Sequence, residues 1–174
     1  MTTTSPTGWR ETRDGATYVA YTRTFRAPIE DVWKAVTEPE RLERWIGTWT
    51  GDPADGEVEF RMTAEGEDVP AETHQIEVCE PPRRLVTSSR TRVDDTAHAD
   101  VVWHLEIDLT EDSGVTTLTF AQAMSDPEVA ENVGPGWHYY LDRLVAAETG
   151  EDVGALDFDD YYPALAEHYR SAFS

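Results

Sequence analysis

The sequence predicts an α+β fold: a curved antiparallel sheet of about six strands wrapped around a long C-terminal helix, with two short helices after the first strand. Three observations carry this. Residues 101–109 alternate strictly, with Val101, Trp103, Leu105, Ile107 and Leu109 on one face and Val102, His104, Glu106 and Asp108 on the other. From about Pro135 to Glu148 the period changes to that of a helix, with Trp137, Tyr140, Leu141, Leu144 and Val145 in one stripe and Gly150 as a stop. Several strand-like segments follow one another with turn signals between them, so one sheet face needs a cover, and the Trp-bearing helix can supply it.

The elements run in order as follows. Residues 1–14 are polar and aperiodic and read as a loose leader, with Trp9 as a single anchor. From Thr17, Val19, Tyr21 and Phe25 share one strand face, and Ala27-Pro28 ends the strand. Ile29, Val32, Trp33 and Val36 then fall at helical spacing, with Glu30 and Asp31 in the first turn, where the helix dipole favours them. Pro39 ends that helix, and a short second one presents Leu42, Trp45 and Ile46. Strands are expected at 56–63 (Val58, Phe60, Met62 inward), 73–79 (His74, Ile76, Val78 inward), 84–90, 101–109 and 115–123, with Asp112-Ser113-Gly114 turning between the last two. The domain is therefore placed at 15–150, followed by an acidic extension, 151–174, in which Tyr162, Leu165, Tyr169 and Phe173 form a short helical stripe.

Composition narrows the function. The 174 residues carry a formal charge of −21, with 35 Asp and Glu against 14 Lys and Arg. Nucleic acid and anionic membrane both need a basic footprint, so neither is an expected partner. With 39% hydrophobic residues, including 6 Trp, 7 Tyr and 5 Phe, the chain has the means to fold. Cys79 stands alone, which excludes an internal disulfide and a thiolate metal cluster. No signal-peptide core or membrane span is visible, and a cytoplasmic protein is the expectation.

Phe25-Arg26-Ala27-Pro28, Val32-Trp33 and Thr37-Glu38-Pro39-Glu40 with Leu42 and Trp45 form one motif; Gly136-Trp137 and Leu141-Asp142-Arg143-Leu144 form a second. In this order they resemble the START-like (SRPBCC) superfamily, the helix-grip fold, and within it the branch of the heat-shock protein 90 ATPase activator. The resemblance spans about residues 17–149. It departs at Trp45-Ile46, where the pattern commonly has two tryptophans, and in the tail. It implies a cavity between sheet and last helix, and relatives that are lipid carriers, polyketide aromatase/cyclases or co-chaperone domains. Fold alone does not choose among these. For Asp142-Arg143 the resemblance implies a structural tie from helix to sheet.

Candidate residues follow from the apolar faces. Tyr21, Arg23, Trp33, Trp45, Phe60, His74, Ile76, Trp103, Leu105, Trp137, Tyr140, Leu141 and Leu144 are the expected lining of a ligand cavity. Arg23 is the most informative polar member: an arginine on an apolar face needs a carboxylate or an anionic ligand, and a salt bridge is the simpler expectation. None of His74, His98, His104, His138 and His168 is spaced as in a zinc helix, so no metal or cofactor is expected. Five residues separate His74 from Cys79, which places them on opposite strand faces and excludes a dyad unless a bulge intervenes. The strand carboxylates Glu57, Glu59, Glu72 and Glu77 read as a solvated outer face.

Three functions follow. The first is a non-catalytic binding protein for a small apolar or amphipathic molecule. The second is an aromatase/cyclase-like enzyme, which requires polar groups such as Tyr21, Arg23 and His74 to converge. The third is a co-chaperone-like partner of a chaperone. The tail is expected either to cap the cavity mouth or to join two copies in a homodimer.

Overall fold

The computed structural model describes residues 5–91 and 101–174. The first four residues and 92–100, which include His98, lie outside the described residues. Eight strands form one antiparallel sheet, two more than expected. They are β1 (Trp9–Arg13), β2 (Ala16–Phe25), β3 (Thr48–Thr50), β4 (Glu57–Arg61), β5 (Glu72–Glu80), β6 (Arg84–Thr91), β7 (Val101–Asp112) and β8 (Val115–Ala123), in the spatial order β1-β2-β8-β7-β6-β5-β4-β3. The helices are α1 (Ile29–Thr37), α2 (Pro39–Leu42), α3 (Pro127–Thr149) and α4 (Ala166–Ala172).

The two additional strands lie at the edges. Residues 9–13, expected in a loose leader, pair with β2 from Trp9↔Ala20 to Arg13↔Ala16. The polar side chains of Arg10, Glu11, Thr12 and Arg13 suit an edge, where one row of backbone groups stays in water. The three residues of β3 pair with β4 and are too few for alternation to register.

Between β2 and β3 the chain crosses from one flank of the sheet to the other, and α1 and α2 make that crossing. Ile29, Val32, Ala35 and Val36 bury one face of α1. Its last carbonyls lack helical partners, a condition met here by indoles: Trp45 Nε1 donates to Ala35 O (3.1 Å) and Trp49 Nε1 to Thr37 O (2.8 Å). From β3 the sheet returns strand by strand until β8 lies against β2.

Helix α3 lies across the inner face and is longer than the pattern suggested, starting at Pro127 rather than about Pro135. Asp126 caps it by accepting from Glu128 N at 2.9 Å, with Pro127 in the first turn, and Gly150 closes it at φ 79°. Pro135 sits in its interior, where proline costs a backbone bond, about 3 kcal/mol. The site offsets this by burial: Gly134 and Pro135 are both buried, and Tyr21 Oη donates to Gly134 O at 2.6 Å.

The extension is part of the core. Tyr161, Leu165, Tyr169 and Phe173 are buried in the cluster that contains Val19, Tyr21 and Leu141. The inward tyrosine is Tyr161 rather than Tyr162, because a loop and a short 3₁₀ turn at Phe158–Asp160 set the phase before α4 begins. Tyr169 is fully buried; its Oη accepts from Gly8 N (3.0 Å), which ties tail to leader. A Cβ on Gly134 would lie 2.2 Å from Tyr169 Cγ, so only glycine permits this approach of α3 and α4. Three residues of the expected stripe, Leu165, Tyr169 and Phe173, are thus part of the chain's own core.

Candidate functional site

The inner face of the sheet is laid out in cross-strand rows. One row runs Val58, His74, Ser89, Trp103, and the next runs Ile76, Thr87, Leu105, Gln122. Beyond Ile76 the β5–β6 register shifts by a bulge, so that Cys79 pairs with Leu85 and Val78 with Val86. The bulge overturns two expectations. Val78 loses its inward place, and Cys79 joins the inner face, where it borders the cavity described next. A His74–Cys79 dyad is still excluded, since five strand residues span roughly 15 Å.

Between β4–β8 and α3 lies a cavity of about 880 Å³. Ten of the thirteen expected residues line it. Phe60, His74, Ile76, Trp103 and Leu105 come from the sheet, Trp137, Tyr140, Leu141 and Leu144 from α3, and Trp45 from the turn after α2. The other three lie elsewhere. Tyr21 is fully buried behind the wall, its hydroxyl bound to Gly134. Trp33 packs half-buried against the core from α1, away from the cavity. Arg23 turns to α3, where its Nη2 donates to Asp142 Oδ1 at 3.1 Å.

Asp142 is the centre of a tie between helix, sheet and tail. Besides Arg23 it accepts from Tyr161 Oη at 2.8 Å, and His138 Nε2 stands 3.4 Å from its Oδ2. Burial pushes this carboxyl up, but His138, Tyr161 and the Arg23 charge outweigh burial and hold it below the ordinary aspartate value. The neighbouring Arg143 donates to Trp45 O at 2.8 Å, fixing α3 to the turn after α2. A shallow depression of about 620 Å³ opens beside Arg23, His138 and Asp142. Arg23, Tyr21 and His74 do not converge.

Polar groups on the cavity wall are few. Glu65 accepts from Tyr140 Oη at 3.1 Å, and Trp137 Nε1 donates to Gln122 Oε1. His74 stands edge-on to Phe60, ring centroids 5.3 Å apart, and burial lowers its pKa below 6.5 against the opposing pull of Glu72 and Glu59. Glu72, expected on the outer face, borders the cavity because it pairs with Phe60. Ser89, opposite His74, is buried, and among the described residues its Oγ has no hydrogen-bond partner. Among the described residues, no lysine or arginine lines the cavity and no group of His, Cys, Asp and Glu is arranged to hold a metal.

Sequence reasoning missed Trp49, Tyr139, Ser89 and Phe158, all on the wall. Ser89 was legible in principle: Leu85, Thr87 and Ser89 share one strand phase. Phe158 was not, because it reaches the cavity from the irregular part of the tail, where it packs on Tyr139 and Tyr162.

Residues 26–148 match the family model described as activator of Hsp90 ATPase homolog 1-like protein. The chain belongs to this family. Among solved structures it is similar to CalU16 from Micromonospora echinospora (24% identity, 97% of each chain covered, TM-score 0.72). It is also similar to protein MLL2253 from Mesorhizobium loti (21% identity, 78% of this chain and 98% of that one, TM-score 0.65). A third likeness is to DynU16, a protein of the dynemicin biosynthetic locus (21% identity, 78% of this chain and 49% of that one, TM-score 0.57). These likenesses carry the fold, and the family brings the helix-grip architecture with it. No curated protein matches the chain. Among the described residues, no helix is long and apolar enough to cross a membrane.

Proposed function

We propose that this family member is a binding protein that holds a small apolar or amphipathic molecule between the sheet and α3. One observation carries the reading: a cavity of about 880 Å³ walled by Phe60, Ile76, Trp103, Leu105, Trp137 and Leu141. That volume lies within the range of small-molecule sites, and its apolar walls with few polar groups are their usual chemistry. Tyr21 and Arg23 are each satisfied elsewhere, at Gly134 and Asp142, which weighs against the cyclase-like reading.

Native mass spectrometry of the protein purified from its own host tests the reading. A copurifying small molecule, lost on substitution of Leu105 by Trp, is the expected result. A chain that stays at its bare mass and quenches no Trp fluorescence with any apolar probe would sink it. The family's name favours a second reading, association with a chaperone ATPase. Pull-down at micromolar concentration is its measurement, and retention of the ATPase on the immobilised protein is its expected outcome.

A further inference from the structure

The cavity wall is uneven in polarity. Its far side, built from Trp45, Leu141, Leu144, Leu118 and Phe120, is apolar, the Trp45 N–H being spent on Ala35 O. The row near the β5–β6 flank carries His74 and Ser89 as direct cross-strand partners. Ser89 is 4% exposed, and among the described residues its hydroxyl has no hydrogen-bond partner. A buried hydroxyl without a partner costs about 1–3 kcal/mol, and folded proteins leave few of them. His74, held against Phe60, offers one ring donor and one acceptor when neutral, the form its burial favours. Among the described residues, the carboxylates on the wall are Glu65 and Glu72. A carboxylate brought into this space would lose its hydration and, among the described lining residues, find no lysine or arginine to pair with.

Resting on the binding reading above, we propose that the ligand is uncharged. It has a ring or hydrocarbon body on the Trp137 and Leu141 side and a hydroxyl or carbonyl seated between His74 and Ser89. Acids of the same skeleton are refused. A hydroxyl or carbonyl supplies the partner Ser89 lacks, and either can pair with His74, because a neutral imidazole donates at one nitrogen and accepts at the other.

Three probes of one skeleton separate this from the binding reading itself: naphthalene, 2-naphthol and 2-naphthoate, followed by Trp quenching and calorimetry at pH 7. The expected order places 2-naphthol about tenfold tighter than naphthalene, one good hydrogen bond's worth. It places 2-naphthoate at least about tenfold weaker than naphthalene, the cost of an unpaired charge. Ser89→Ala removes one hydroxyl and no packing; it should narrow the naphthol preference by about threefold or more and leave naphthalene within about twofold. An unchanged melting temperature shows that the fold is intact. If 2-naphthoate binds as tightly as 2-naphthol, or S89A weakens all probes alike, the selectivity fails while the cavity stands as a binding site. If naphthalene itself does not bind, the binding reading fails and takes this inference with it.

Discussion

The two halves of the space under the sheet are lined by the same kinds of residue and end in different states. Under β1, β2 and the start of α3, Tyr21 and Tyr169 are fully buried, Gly134 admits the Tyr169 ring, and Leu165 and Phe173 complete the packing. Under β4–β7, Phe60, Ile76, Trp103, Leu105, Trp137 and Tyr140 are half-buried around a cavity of about 880 Å³. The first half has an additional element, α4, packed in from the tail; the second has no such helix. An apolar inner face becomes core or cavity wall according to whether an element of the chain is left to fill it.

The largest effect should come from withdrawing that element. Removing residues 151–174 takes Tyr161, Leu165, Tyr169 and Phe173 from the core. Each large buried side chain contributes roughly 3–5 kcal/mol, against a total stability of about 5–15. The shortened chain should lose near-UV circular dichroism and cooperative urea unfolding at 25 °C. Tyr169→Ala alone should cost about 3–5 kcal/mol in urea, whereas Trp103→Ala on the cavity wall should cost less than half as much, its ring having fewer neighbours to lose. Equal costs for the two would break the comparison.

A glycine pair in α3 sharpens it next. Gly134→Ala places a methyl 2.2 Å from Tyr169 Cγ, and the rigid ring cannot yield, so a loss of about 2–3 kcal/mol is expected despite better helix propensity. Gly136, two residues on, has nothing within 4 Å of an added Cβ. Gly136→Ala should therefore stabilise, by up to about 1 kcal/mol. Thermal melts of the two variants read opposite signs if the closed half is packed as described.

These contrasts also show what was legible in the sequence. Alternation placed β7 and β8, and the helical stripe placed Trp137, Tyr140, Leu141 and Leu144 on the cavity side, because period and burial agree there. Three features broke that agreement. Pro135 reads as a helix start by its usual preference, yet the start is Asp126-Pro127, and only tertiary burial explains a proline eight residues in. The bulge in β5 reverses the phase of Val78 and Cys79 with no glycine or proline to announce it. The tail's helical period points to Tyr162, but the 3₁₀ turn at Phe158–Asp160 sets the phase so that Tyr161 faces inward, where it donates to Asp142, a partner nineteen residues away. Arg23 was read through the same physics in the other direction: a buried cation demands a carboxylate, and Asp142 is there.

The open half should tolerate what the closed half refuses. Leu105→Trp adds volume on a wall that faces empty space, so stability should change by less than about 1 kcal/mol, while naphthalene binding is lost. The comparable enlargement Val19→Leu, at a fully buried position beside Tyr21, should cost about 1–3 kcal/mol through overpacking. Urea midpoints measure both. A strongly destabilised Leu105→Trp variant would mean that the cavity closes in solution.

The smallest effect is electrostatic and belongs to the open half alone. Burial lowers the His74 pKa below 6.5 in the folded chain, so the unfolded chain takes up the proton first as pH falls. Protonation then favours the unfolded state: the His74 contribution is complete above about pH 6.5 and is lost progressively as pH falls toward the folded value. Asp142, in the closed half, is also lowered, but its loss begins only below the ordinary aspartate pKa of 3.8. Acidification from about pH 7 to about pH 5 should therefore weaken the wild-type chain slightly more than His74→Gln, with no difference between them above about pH 7. The same protonation puts a positive charge on the wall that refuses acids, so the discrimination between 2-naphthol and 2-naphthoate should narrow over the same interval. Discrimination that stays constant while the urea midpoints shift would separate the His74 ring from the ligand's polar group and leave Ser89 to read it alone.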